Sequence, residues 1–286
     1  MKKTLAGLLA LLVILSSLSG CGKSSKKQEA TTVTTQQTTA PTQQTTQATT
    51  VAPTTQETQP LIPLNPYGPM DFGYNGDYLT CWAGESMTGV DVSFWQGDID
   101  WQQVADSGIE FAIIRLAWRG SEQGLMFADE YAQANYQGAT AAGIKVGGYF
   151  FSQAINPEEA VEEAQFALDM VKDWDIQMPI IFDWEYIDDV SRTANVDGET
   201  LTACTKAFCD TISGAGYESM VYFNPEQAWR KLNLEELVGY EFWLAMYDST
   251  MVYPYKIHMW QYTDQGSVPG IHGPVDLNVY LKYEES

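Results

Sequence analysis

Met178-Pro179-Ile180-Ile181-Phe182-Asp183-Trp184-Glu185-Tyr186 reads as a strand buried on both faces that ends in two carboxylates one residue apart. Side chains alternate faces along a strand, so Asp183 and Glu185 point the same way. Two steps of roughly 3.3 Å put their Cα atoms about 6.6 Å apart. Neighbouring acids repel, and partial burial adds a desolvation cost. Folds bear that cost mostly where one acid must hold a proton and the other must not. The competing reading is a strand-end Asp that caps the next helix beside a solvated Glu.

Such a strand needs a covering layer on each face, and the rest of the chain supplies the pattern. Seven further runs read as strands: Gly89–Ser93, Phe111–Trp118, Lys145–Phe151, Met220–Asn224, Phe242–Tyr247, His258–Tyr262 and Val275–Tyr280. Together with Pro179–Glu185 they make eight, and the first five are each followed by a helical pattern. These helices are expected at Asp100–Gly108, Ala128–Ala142, Pro157–Lys172, Glu199–Ser213 and Glu226–Val238, the last readable as two short pieces. Strand alternating with helix argues for parallel pairing in an α/β fold, and eight strands argue for closure into a barrel. The ending differs. Ten residues separate Tyr247 from His258, broken by Tyr253-Pro254, and twelve separate Tyr262 from Val275, rich in Gly and Pro. A parallel crossover usually needs a dozen or more residues with a helix, so the final strands are expected to be antiparallel or irregularly connected. The expectation is an irregular, TIM-like barrel with five β/α units followed by three further strands.

The barrel does not need the whole chain. Residues 1–20 read as a signal peptide, with Lys2 and Lys3 before an apolar core at Leu5–Leu15. Leu18-Ser19-Gly20-Cys21 resembles a bacterial lipoprotein signal, which implies a lipidated Cys21 on the extracellular face of the cell membrane. The alternative is an ordinary secretory signal with a bystander cysteine. Residues 21–60 form a Thr/Gln-rich linker that cannot bury enough apolar surface to order itself. As a flexible tether its ends would lie roughly 35 Å apart. The domain is then 61–286, with a core at 88–284.

Residues 61–286 carry 10 basic and 35 acidic side chains, a net charge of −25. This excludes nucleic-acid binding through phosphates and electrostatic adhesion to anionic lipid. Cys81, Cys204 and Cys209 leave open one disulfide plus a free thiol, or three buried thiols. With only His258 and His272 and no Cys/His ligand spacing, no zinc site and no cofactor are expected. A monomer is expected.

In such barrels chemistry gathers at the C-terminal ends of the strands. Asp183 and Glu185 lie there, and Asp91 lies in the first strand within Gly89-Val90-Asp91-Val92-Ser93-Phe94-Trp95-Gln96-Gly97. Asp276 opens the last strand, and an antiparallel course would bring it to the same rim. Aromatic residues collect at strand ends too: Trp95, Trp118, Tyr149, Trp184, Tyr186, Tyr222, Trp243, Tyr247, Trp260 and Tyr262. Any one of them reads as barrel core. Beside a carboxylate pair they favour a carbohydrate cleft, because sugar C–H faces stack on aromatic rings. Two acids of different protonation are the machinery of glycoside hydrolysis.

Gly89-Val90-Asp91-Val92-Ser93-Phe94-Trp95-Gln96-Gly97-Asp98-Ile99-Asp100-Trp101, Phe111-Ala112-Ile113-Ile114-Arg115, Phe182-Asp183-Trp184-Glu185, Met259-Trp260-Gln261-Tyr262 and Val275-Asp276-Leu277-Asn278 together resemble glycoside hydrolase family 25, the Chalaropsis-type lysozymes. The resemblance covers residues 88–284 in order. It implies a flattened barrel of five β/α units plus three strands, and N-acetylmuramidase activity on the peptidoglycan glycan strand. It maps the general acid to Glu185, the partner carboxylate to Asp183 and further cleft acids to Asp91 and Asp276. Tyr149, Tyr222, Trp243, Tyr247 and Gln261 fall in stretches similar to the family's sugar-contacting strands. Many members have a His after the tyrosine of the third strand, where this chain has Phe150, a departure that bears on one substrate contact. Two rivals remain: a catalytically silent glycan-binding lipoprotein, and a divalent-metal site built from the four acids.

Overall fold

The computed structural model describes residues 62–283. The signal, Cys21 and the Thr/Gln-rich linker lie outside the described residues. An N-terminal hairpin of β1 (Phe72–Asn75) and β2 (Tyr78–Cys81) precedes β3 (Ser86–Val92), α1 (Trp101–Asp106), β4 (Phe111–Arg119) and β5 (Met126–Ala128). There follow α2 (Ala132–Ala141), β6 (Lys145–Ser152), α3 (Pro157–Val171), β7 (Ile180–Trp184), α4 (Gly198–Gly214), β8 (Ser219–Phe223) and α5 (Pro225–Arg230). The chain closes with β9 (Glu241–Ala245), β10 (Met259–Gly266) and β11 (Val275–Leu281).

Eight strands form a closed barrel in the order β3-β11-β10-β9-β8-β7-β6-β4, sealed by pairing of β3 with β4. All eight runs read from sequence are these strands. The run from β4 through β9 is parallel, as strand–helix alternation requires. β10 also runs parallel to β9, although residues 246–258 make that crossover without a helix. β11 is antiparallel to both β10 and β3. The helix expected from Ala128 starts only at Ala132, because Met126–Ala128 instead doubles back as β5 on the outer end of β4. The fifth helix is two pieces, α5 and a 3-10 turn at Leu234–Leu237.

The alternation of β7 sorts its side chains between two cores. Ile180, Phe182 and Trp184 join the layer between barrel and helices, while Ile181 joins the barrel interior with Phe111, Ile113, Met220 and Trp243. Phe182 packs on Phe208 of α4 with ring centroids 5.1 Å apart. Each such buried side chain contributes about 1.5–3 kcal/mol. Gly89 is required opposite the fully buried Phe111, since a Cβ there would lie 2.3 Å from the ring. Asn156, Asp197 and Asn224 accept the N–H of Glu159, Thr200 and Gln227, capping α3, α4 and α5 at the rim that carries the site.

Residues 62–85 serve where helices are missing. Asn65 N–H donates to Pro254 O at 2.9 Å, and Lys256 N–H to Pro63 O at 2.8 Å. Phe72 packs edge-on against Trp260 of β10 at 5.2 Å, and Leu79 N–H donates to the Tyr262 hydroxyl. The hairpin thus covers the outer face of β10. Cys81, Cys204 and Cys209 are three buried free thiols.

Candidate active site

On β7 the inward face carries Ile181 and then Asp183, and Glu185 follows just past the strand end. Both acids line one open cleft at the C-terminal mouth of the barrel, a cavity of about 260 Å³. Asp91 of β3 and Asp276 of β11 line the same cleft, as do Tyr149, Tyr222, Trp243, Tyr247 and Gln261. The antiparallel course of β11 sets Asp276 directly opposite Asp91 in register. The structure therefore brings the four acids, Trp95, Tyr149, Tyr222, Trp243, Tyr247 and Gln261 into one cleft, whereas Trp118, Trp184, Tyr186, Trp260 and Tyr262 do not line it and Cys21 lies outside the described residues.

Their exposures separate two groups. Tyr247 is exposed and Tyr149 half-buried, so both offer surface to a ligand. Trp243, Tyr222 and Gln261 are buried. Trp243 donates from Nε1 to Asn278 Oδ1 at 2.8 Å, and the Tyr222 and Tyr247 hydroxyls each donate to Gln261 Oε1 at 3.1 Å. Gln261 and Asn278 then donate to Asp91 Oδ2 at 2.9 and 2.7 Å. Trp243 is thus floor rather than stacking surface. Phe150 does not face the cleft at all. It packs between the barrel and the helices against Phe166 and Phe208, so the departure from His there removes no contact in the cleft.

The electrostatics follow from four carboxyls in one mouth. Burial lifts Asp91 to about 6, opposed by the hydrogen bonds of Asn278 and Gln261 and assisted by Glu185. Burial, with Asp91 and Asp264 nearby, lifts Asp276 to about 8. Glu185, half-buried at the rim, is raised by burial and then by Asp276. Asp183 is pushed well above the usual range by burial, then by Glu185 and Asp91. It lies deeper, and its Oδ1 has no hydrogen-bond partner among the described residues. Burial and mutual repulsion thus push both acids of β7 toward the protonated form, Asp183 from the deeper and Glu185 from the more accessible position. Burial also raises the Tyr149 and Tyr222 phenols, which stay neutral hydrogen-bonding groups.

Several supporting residues escaped the sequence reading. Among the described residues Arg115 is the one cation lining this cleft, and its attraction for the Asp183 carboxylate opposes the upward shift. It is held by Asp129 at 2.8 Å and sandwiched between Phe94 and Trp118. Gln153, fully buried, donates from Nε2 to the Glu185 carbonyl at 2.9 Å, while Thr193 donates to its Oε1 at 2.9 Å. Gln227 donates to the Trp184 carbonyl at 2.6 Å, and Trp184 Nε1 donates to Ala154 O at 3.2 Å. These bonds fix the backbone on which Glu185 sits. Asn278 was discoverable, since it lies two residues from Asp276 on one strand. Gln153 and Gln227 carry no such signal. Among the described residues no group of three or more His, Cys, Asp or Glu side chains is arranged to hold a metal ion.

The sequence pattern of Glycosyl hydrolases family 25 matches residues 90–271, well over half of the chain. The chain belongs to this family. It is 27% identical over 196 residues to the autolytic lysozyme of Clostridium acetobutylicum, covering 68% of this chain and 56% of the relative. It is 25% identical over 204 residues to lysozyme M1 of Streptomyces globisporus, covering 68% and 67%. Among solved structures, the modular autolysin LytC from Streptococcus pneumoniae superposes with a TM-score of 0.61 at 26% identity, over 68% of this chain and 47% of LytC. A family 25 glycosyl hydrolase from Bacillus anthracis, at 22% identity and a TM-score of 0.59, covers 74% of this chain and 96% of its own and shares the fold. The chain spans about half the length of LytC and of the clostridial lysozyme. The eight-stranded barrel expected from sequence is the barrel of this family.

Proposed function

We propose that this family 25 chain hydrolyses the β-1,4 bond between N-acetylmuramic acid and N-acetylglucosamine in peptidoglycan. The observation that carries the reading is the pair Asp183 and Glu185, both raised, opening into one cleft at the tip of β7. The similarity to two lysozymes and an autolysin supports it. Glu185, at the accessible rim, donates its proton to the leaving glycosidic oxygen. Asp183 works as a carboxylate on the other side of the sugar. Its unpartnered Oδ1 accepts the N–H of the substrate's 2-acetamido group, and that hydrogen bond favours the charged form. With that bond made, Asp183 is the carboxylate and Glu185 the proton donor, the state each role needs. From there Asp183 orients the acetamido oxygen onto the anomeric carbon, or attacks that carbon itself. Asp91 and Asp276 line the cleft, and above about pH 6 the Asp91 carboxylate adds negative potential that stabilises an oxocarbenium-like transition state. With a domain charge of −25, hold on an anionic wall comes from sugar contacts.

Digestion of purified peptidoglycan followed by mass spectrometry of the products tests this reading. Products ending in reducing N-acetylmuramic acid are expected. Reducing N-acetylglucosamine ends, or no product, would refute it. We also propose that Cys21 is a lipidated N-terminus and that residues 21–60 tether a monomeric domain at the outer face of the membrane. Metabolic labelling with a radiolabelled fatty acid should mark the wild type and not Cys21→Ser; equal labelling would remove the anchor.

A further inference from the structure

Trp95, in the turn after β3, is three-quarters exposed and lines the cleft. It begins a row of aromatic rings that leaves the cleft rather than filling it. Trp95 packs on Phe94 at a centroid distance of 4.4 Å, Phe94 on Trp118 at 6.2 Å, and Trp118 on Phe127 of β5 at 5.5 Å with near-parallel planes. The row ends at a surface depression of about 290 Å³ bounded by Phe127, Leu125 and the turn Gly120–Gln123. Phe127 and Leu125 are both about half exposed there.

This platform is held rigidly. Arg115, anchored by Asp129, sits between the Phe94 and Trp118 rings. The turn is closed by Gly120 N–H donating to Leu125 O at 2.8 Å, and Arg119 Nη1 donates to Gly124 O at 2.9 Å. Gly124 has a φ of +70°, open to glycine. Arg192 N–H donates to Ser121 O at 2.9 Å. Arg192 also belongs to the loop that starts at Glu185, so the depression and the acid are fixed to one frame. A surface set in place before binding loses little entropy when a ligand arrives.

We propose that this row and the Leu125–Phe127 depression form a second glycan-binding site, which holds the same strand beyond the sugars seated in the cleft. The inference rests on the function proposed above. The occupant is argued from continuity, because Trp95 belongs both to the cleft and to the row. It is also argued from charge. The residues lining the depression include Glu122 and Gln123 and no cation, which suits the neutral face of a sugar and not an anionic peptide stem.

The test is the chain-length dependence of cleavage by the full chain, using glycan strands of defined length freed of their peptides. For the wild type, kcat/KM should rise with length beyond the shortest cleaved oligomer. Phe127→Ala should lose roughly three- to tenfold on long strands, the worth of one aromatic contact. It should cleave the shortest oligomer at the wild-type rate. Phe127→Trp should keep the long-strand advantage. An equal loss at every length, or an unchanged length dependence in Phe127→Ala, overturns this inference while leaving the proposed function standing. A wild type that cleaves no strand of any length overturns both.

Discussion

Replacing Asp91 by Asn removes a negative charge from a place where burial and neighbouring acids oppose it. Asp91 is 6% exposed, faces Asp276 across the sheet, and titrates near 6 where an ordinary aspartate titrates near 3.8. Between those two values the native state binds more protons than the unfolded chain, so stability falls as pH rises and levels off above about 6. A shift of about two pH units corresponds to roughly 3 kcal/mol at about 1.36 kcal/mol per unit. Asn keeps an oxygen to accept from Gln261 and Asn278, so the hydrogen-bond frame survives. Thermal unfolding of wild type and Asp91→Asn at pH 8 and pH 4 reads the effect. At pH 8 the variant should gain up to roughly 6–12 °C in Tm, taking about 2–4 °C per kcal/mol for a domain of this size. At pH 4, where Asp91 is already protonated in the fold, the gain should vanish. A gain that is the same at both pH values, or a loss at pH 8, would refute the electrostatic account of this cleft.

Three other outcomes follow from the same geometry. Asp276→Asn removes a charge that raises Glu185, so the alkaline limb of the kcat/KM profile should move to lower pH, and a limb that stays or moves upward contradicts the pairing. Gln153→Ala frees the Glu185 carbonyl and leaves Thr193 without its acceptor. Steady-state kinetics should show kcat falling about tenfold or more with KM nearly unchanged, whereas a change confined to KM would place Gln153 in binding instead. Phe150→His puts a polar ring among Phe166 and Phe208, so urea unfolding should show a loss of about 2 kcal/mol or more with an unaltered KM. An altered KM would return that position to the cleft.

The barrel was legible because its strands are long apolar runs punctuated by glycine and proline, and periodicity reports burial directly. The two acids were legible for the same reason, since one intervening residue on a strand fixes their common face. The antiparallel last strand was inferred from the short, Gly- and Pro-rich link before Val275, and it delivers Asp276 to Asp91. What stayed hidden depends on tertiary partners. Met126–Ala128 has no strand pattern of its own and is extended only because β4 offers an edge. β1 and β2 form over strands that lack helices, which no local signal announces. Gln153 and Gln227 look like ordinary loop and helix glutamines until the fold brings them to the carbonyls of Glu185 and Trp184. The resemblance places Trp243 in a sugar-contacting stretch, but the fold buries its ring and its indole N–H donates to Asn278.

The most direct test of the central claim is the rate of reducing-end release from peptidoglycan by Glu185→Gln, with circular dichroism confirming the fold. If Glu185 supplies the proton, the rate should fall by about a hundredfold or more, because Gln fills the same space but has no acidic proton. Release at close to the wild-type rate would contradict the claim that the two acids at the tip of β7 divide the chemistry between them.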